Sequence, residues 1–155
     1  MKSYLTILSF ILCFTLQTAC LLTEPENIKN NENSPPIPVL PDKQFILKIN
    51  QTALLKSENI QIEFLRVTAD SRCPSDVTCI WAGEVTIELA ISKDDVDKGK
   101  ITLINGASEK LKSFYNIDGY CIDLLKVEPY PSTLQKINPA DYSITLIIKS
   151  ATCQE

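Results

Sequence analysis

The chain has 155 residues, of which 45% are hydrophobic and 22% charged, and its formal net charge is −4. This balance is typical of one globular domain, and an acidic chain without a basic cluster excludes a nucleic-acid-binding surface. The sequence contains no histidine, which removes Ser-His-Asp and Cys-His catalysis and histidine-ligated metal sites. We therefore expect a protein that is not an enzyme, with no cofactor and no nucleic-acid partner.

Residues 1–19 have the composition of an export signal. A lysine gives a positive start, an apolar run follows over residues 4–16, and the small residue Ala19 precedes Cys20. The apolar run is shorter than the roughly 20 residues that a membrane-spanning helix needs. The end of the segment resembles a bacterial lipobox, in which the cysteine is acylated and becomes the new N-terminus, although Gln17 stands where an aliphatic residue is usual.

This pattern predicts a protein exported to the bacterial cell envelope and attached to a membrane by a lipid on Cys20. A soluble secreted protein and an uncleaved N-terminal anchor remain as alternatives. Residues 20–41 are polar and rich in proline and asparagine, and such a segment cannot bury enough surface to fold. We expect it to be a linker between the lipid and the domain.

Residues 42–155 are predicted to form the folded domain, because apolar and polar residues alternate along about seven segments. The predicted fold is an all-β antiparallel sandwich, Ig-like or similar, stapled by disulfide bonds. Leu65 breaks the alternation of its segment, which predicts a β-bulge. Residues 93–99 and the Asn105-Gly106 pair are predicted turns. The segments cover residues 45–50, 53–55, 60–67, 85–91, 100–104, 120–127 and 142–149.

Four of the six cysteines lie in the predicted domain. Four thiols in an exported domain predict two disulfide bonds. Closeness in sequence favours a bond between Cys73 and Cys79, and Cys121 then pairs with Cys153. The alternative is a thiol-redox or metal-handling pair at Cys73 and Cys79, whose C-x5-C spacing differs from the C-x-x-C of thioredoxins and zinc ribbons.

Residues 70–84 hold half of the domain's cysteines and the only tryptophan, Trp81. Their D-S-R-C-P and C-x-W-A-G sequences, with the later V-x-P-Y-P of residues 127–131, resemble an uncharacterised family of bacterial exported proteins and lipoproteins. The resemblance covers most of residues 45–149. It implies a compartment and no particular activity.

This stretch has a structural and a functional interpretation. In the structural one, which we favour, Trp81 packs on the Cys73–Cys79 bond or into the core, and Asp70 and Arg72 pair or cap loop amides. In the functional one, Asp70, Arg72 and Trp81 contact a protein, a glycan or a small ligand. The sequence as a whole predicts a non-catalytic, membrane-tethered binding module.

Overall fold

The alternating segments of the sequence fold into strands in a computed structural model that describes residues 34–106 and 113–154. The predicted signal, Cys20 and most of the predicted linker lie outside the described residues. Within them, one 3-10 helix (Pro139–Asp141) accompanies nine strands, and no helix is long and apolar enough to cross a bilayer. The strands are β1 (Ile37–Val39), β2 (Gln44–Lys48), β3 (Thr52–Leu55), β4 (Ile60–Asp70), β5 (Glu84–Lys93), β6 (Val96–Gly106), β7 (Phe114–Ile117), β8 (Tyr120–Glu128) and β9 (Ser143–Lys149).

The strands form two sheets, one in the order β1-β3-β4-β5-β6 and one in the order β2-β9-β8-β7. Neighbouring strands in the described chain are antiparallel, apart from β1 and β3, which are parallel. Both predicted disulfide bonds, Cys73–Cys79 and Cys121–Cys153, are present. The molecule is therefore an all-β, disulfide-bonded protein built from two sheets, as the alternation and the cysteines predict.

Two of the nine strands are absent from the sequence-based prediction, so the predicted number of about seven is too low. β1 lies within residues 20–41, and the sheet thus begins before the predicted domain boundary at residue 42. Pro38 argues against a strand in the sequence, because proline lacks an N–H for the hydrogen-bond ladder and is tolerated only at a sheet edge. β7 has only four residues, which is too short for a clear alternation.

The hairpin between β5 and β6 is tighter than predicted. Lys93 already pairs with Val96, so the turn consists of Asp94 and Asp95 alone, with φ of 52° and 59°. Two positive φ values match the strand twist in a two-residue turn, and aspartate tolerates them. The predicted turn at Asn105-Gly106 is also wrong. Both residues pair with β5 and end β6.

One core cluster receives side chains from both sheets. On β5 every second residue from Val85 to Ile91 is buried, while the residues between them are only partly covered. The register of β4 against β5 shifts between Phe64 and Arg66, which confirms the bulge predicted at Leu65. The completely buried members larger than alanine are Leu47, Ile60, Ile62, Phe64, Val85, Ile87, Leu89, Leu103, Ile122, Ile144, Leu146 and Ile148. Each such side chain stabilises the fold by roughly 1.5–3 kcal/mol relative to an exposed one.

Two loops meet at one end of the sheets. Residues 71–83 connect β4 to β5 and are named loop A, and residues 129–138 follow β8 and are named loop B. A hydrogen bond from the Arg72 side chain to the Val127 carbonyl joins loop A to the end of β8 that leads into loop B. The end of the two sheets that carries loops A and B is named the loop end. The Cys121–Cys153 bond lies at the other end of β8 and β9.

Candidate functional site

Loop A is held closed at both of its stems. The Cys73–Cys79 disulfide joins Cα atoms 5.9 Å apart. The Ser71 amide donates to the Glu84 carbonyl at 2.8 Å, and the Cys73 amide donates to the Ala82 carbonyl at 2.9 Å. Three cross-links over so short a segment leave the loop little conformational freedom.

Gly83 allows the two stems to approach each other. Its φ is +70°, in the left-handed region that glycine adopts at no steric cost. A Cβ at this position would overlap the Ser71 carbonyl oxygen and would lie 2.9 Å from the Arg72 Cα. Both the backbone conformation and the space therefore require glycine here.

Arg72 and Asp70 form an ion pair under loop A. The Arg72 Nε donates to Asp70 Oδ1 at 2.8 Å, and Nη2 donates to Oδ2 at 2.6 Å. Asp70 also accepts the Arg72 backbone amide at 3.2 Å and the Tyr142 hydroxyl at 3.0 Å. The pair is shielded from solvent, since the two side chains are 6% and 11% exposed. A buried pair of this kind is tolerated only when its remaining donors and acceptors are also satisfied.

The remaining donors of Arg72 reach the segment between β8 and loop B. Nη1 donates to the Val127 carbonyl at 2.6 Å, and Nη2 donates to the Pro129 carbonyl at 2.9 Å. The guanidinium also lies 4.8 Å from the centre of the Tyr130 ring, in a cation–π contact. One side chain thus joins the D-S-R-C-P sequence to the V-x-P-Y-P sequence.

The protonation of this cluster is fixed by its contacts. Burial raises the pKa of Asp70, but the hydrogen bonds and the charge of Arg72 together lower it by a larger amount. The net pKa therefore lies below the ordinary 3.8. Burial, together with the hydrogen bond to Asp70, raises the pKa of the Tyr142 hydroxyl above its ordinary value. At neutral pH the carboxylate is charged and the phenol neutral, which suits a structural ion pair.

A second set of contacts ties the tips of the two loops together. The Ser75 amide donates to the Pro131 carbonyl at 2.9 Å, and the Thr133 amide donates to Asp76 Oδ1 at 2.8 Å. The Thr133 hydroxyl donates to the other oxygen of Asp76. These hydrogen bonds from Thr133 lower the pKa of the Asp76 carboxyl. Loops A and B therefore form one braced unit.

This unit exposes several large apolar side chains. Ile80 is 93% exposed, Trp81 82% and Leu134 88%, and Val77 and Tyr130 are exposed as well. Residues 77–82 and 129–135 contain no charged side chain. A tryptophan and an isoleucine that stand side by side in solvent on a fixed loop are typical of an interaction surface.

The expectation that Trp81 packs on the disulfide or into the core is wrong. Arg72 is the buried side chain of loop A, and it points to β8 and loop B, whereas the Trp81 side chain is 82% exposed. Asp70 and Arg72 pair as the structural interpretation predicts, and their polar atoms are engaged within the protein. Of the three candidate binding residues, Trp81 alone is open to a partner.

Sequence reasoning missed Tyr142, Asp76 and Thr133. Each forms part of the loop end through a side-chain hydrogen bond across more than 50 residues of sequence. Sequence reasoning also missed Tyr130, although it lies within the V-x-P-Y-P sequence, whose occurrence together with D-S-R-C-P is the signal that could have found it. Cys121 and Cys153, with Cα atoms 5.4 Å apart, brace the opposite end and take no part in this site.

No protein-family model, no curated protein and no solved structure matches the chain. The assignment of a function therefore rests on the residues of the loop end and on the signals in the sequence.

Proposed function

We propose that the chain is an exported, lipid-anchored protein of the bacterial cell envelope, and that its β domain presents the loop end as a non-catalytic binding surface. The observation that carries this proposal is the exposed Ile80–Trp81 pair on a loop that is closed by a disulfide bond and by hydrogen bonds between its stems. The sandwich arrangement, Ig-like or similar, belongs to the same proposal. It is supported by the single core that both sheets share.

The rigidity of loop A favours binding of a partner to its exposed side chains. A tryptophan contributes a large contact area with few rotatable bonds, and a loop that is already ordered loses little entropy when a partner binds. Loop A has its disulfide and stem hydrogen bonds, and Arg72 and Thr133 fix it to loop B. The exposed Ile80–Trp81 pair is therefore available without a folding step.

Export and anchoring are supported by the sequence and by the disulfide bonds. Residues 1–19 have the features of an export signal that ends at Cys20, and residues 20–36 supply a linker before β1. Disulfide bonds persist in oxidising compartments outside the cytosol, and the domain holds two. The resemblance to bacterial exported proteins and lipoproteins agrees with this location.

Labelling with a fatty-acid probe in bacterial cells tests the proposal. The wild-type chain is expected to take up the probe, and the Cys20→Ala variant is expected to lose the label. Cys13→Ala is the matched control, because Cys13 lies inside the apolar run of the signal, and it is expected to remain labelled. An unlabelled wild-type chain, or equal labelling of Cys20→Ala, would contradict the anchor.

A thiol count tests the redox or metal-handling alternative at Cys73 and Cys79. The binding-module proposal expects no free thiol in the denatured mature domain and no co-purified metal. Two free thiols that disappear on mild oxidation, or a bound metal ion, would favour the alternative instead.

A further inference from the structure

We propose that the partner of the loop end is the interfacial region of a lipid bilayer, into which Ile80, Trp81 and Leu134 insert. This inference rests on the proposed function, because it takes the bilayer to be the one that holds the lipid on Cys20. It adds a second, non-covalent membrane contact to the anchor.

The chemistry of the loop end fits this partner. Tryptophan concentrates at membrane interfaces, where its ring is apolar and its N–H stays hydrated, and an adjacent aliphatic side chain can enter the acyl region. Ile80 and Trp81 are adjacent in loop A and exposed, and residues 77–82 carry no charge. The nearby carboxylate of Asp76 is engaged by two hydrogen bonds from Thr133. A glycan site would instead favour hydrogen-bonding side chains beside the ring, and both sequence neighbours of Trp81, Ile80 and Ala82, are apolar.

The direction of β1 is compatible with a membrane contact at the loop end. Val39 lies opposite Leu55, and Leu55 lies opposite Ile60, the first residue of β4. β4 then runs to Asp70, where loop A begins. β1 therefore runs away from the loop end, and its first residue, Ile37, is the one nearer to the loop end.

The linker is also long enough. Residues 21–36 join Cys20 to β1, and a chain of this length spans at most roughly 50 Å. β1 begins level with Ile62 of β4, and the strand from Ile62 to Asp70 covers roughly 25 Å. An anchored domain can therefore place its loop end against the bilayer with chain to spare.

Vesicle binding by the mature chain without its lipid tests this contact. All described strands, the shared core and both disulfide bonds lie within residues 34–154, so residues 20–155 with Cys20→Ser keep the whole folded unit. The probe is a vesicle of uncharged phosphatidylcholine. Because Trp81 is the only tryptophan, its emission is expected to shift to shorter wavelength and to be quenched by brominated lipid, at low and at high salt.

Two matched leucine substitutions distinguish vesicle binding through the loop end from non-specific adsorption to the vesicle. Leu134→Ser is expected to weaken vesicle binding severalfold, and Ile80→Ser roughly tenfold or more, because each removes buried apolar area. Leu40→Ser is the control, since Leu40 is 68% exposed but follows Val39 at the opposite end of the sheet. It is expected to bind as the parent chain does.

Three results would overturn the inference: no spectral shift or quenching with the folded, oxidised chain, binding only to anionic vesicles, or equal effects of Leu40→Ser and Leu134→Ser. These results are independent of acylation. Vesicle binding without a label on Cys20 would contradict the anchor, whereas a labelled Cys20 without vesicle binding would contradict the loop contact.

Discussion

The guanidinium of Arg72 meets the carboxylate of Asp70 through two parallel hydrogen bonds, at 2.8 and 2.6 Å, and the same guanidinium donates to two carbonyl oxygens beyond it. A planar fork of donors is needed to reach all of these acceptors from one position. A lysine ammonium carries its charge on a single atom and cannot reproduce this geometry. The loop end thus depends on the shape of arginine as well as on its charge.

Replacement of Arg72 by lysine is expected to lower the free energy of unfolding by about 2–3 kcal/mol, because several charged hydrogen bonds are lost while the charge remains. Urea unfolding at neutral pH measures this change. Arg66→Lys is the control. Arg66 pairs with Glu88 at 2.8 Å, but its side chain is 61% exposed, and such a pair contributes at most about 1 kcal/mol. Similar losses in both variants would contradict the role of the Arg72 fork.

The stability of the domain is expected to fall in acid through Asp70. Its pKa is lowered in the folded protein, so the carboxylate stabilises the fold above the unfolded pKa near 3.8, and this contribution is lost as the pH falls through the folded pKa. Asp70→Asn is expected to be less stable at neutral pH and to lose less stability below about pH 4.

Unfolding free energies measured from neutral pH down to acid test this expectation. Asp76→Asn is a useful comparison, because the pKa of Asp76 is also lowered, but by hydrogen bonds from Thr133 on an exposed loop. Its effect is expected to be the smaller one. An acid profile of Asp70→Asn identical to that of the wild type would show that the ion pair does not contribute.

Gly83→Ala is expected to disrupt loop A, because the new Cβ would overlap the Ser71 carbonyl in a backbone with φ of +70°. The loss of stability should clearly exceed the roughly 1–2 kcal/mol of left-handed strain alone. Gly99→Ala isolates that strain, since φ is +88° there and nothing lies within 4 Å of an added Cβ. Thermal unfolding of the two variants makes the comparison, and equal shifts in Tm would be inconsistent with the close approach.

The two disulfide bonds are expected to differ in their contribution to stability. The Cys73–Cys79 bond spans 6 positions of sequence and the Cys121–Cys153 bond spans 32. Loop-closure entropy then assigns about 2–2.5 kcal/mol to the first bond and about 3.5–4 kcal/mol to the second. Double Cys→Ser variants of each pair, unfolded in urea, should show the larger loss for Cys121 and Cys153. The reverse order would point to strain or residual structure instead of chain entropy.

Much of the fold could be predicted from alternation, because the half-buried strands β4, β5, β8 and β9 show their inner faces in the sequence. β1 could not, since Pro38 argues against a strand until the edge position is known. The disulfide pairs followed from spacing and from the strands that carry them. Strand order and sheet membership depend on contacts between distant segments, which single-strand patterns do not encode.

The site could be predicted from the sequence less completely than the fold. Arg72 and Asp70 lie two positions apart, so their pairing could be expected, but the carbonyl acceptors of Arg72 are more than 50 residues away. Trp81 shows what composition cannot predict: a large aromatic residue beside a disulfide is expected to be buried, and this one is exposed. Its exposure is decided by which side chain of the loop turns inward, and here the arginine does so.

The proline in β1 has a consequence for self-association. β1 forms one border of the five-stranded sheet, and a border strand with free N–H and C=O groups can recruit a strand from another molecule. Pro38 removes one of those donors at the middle of a strand of only three residues. A second copy of the chain therefore finds no regular ladder to extend at this border, which protects densely packed molecules from aggregating through it.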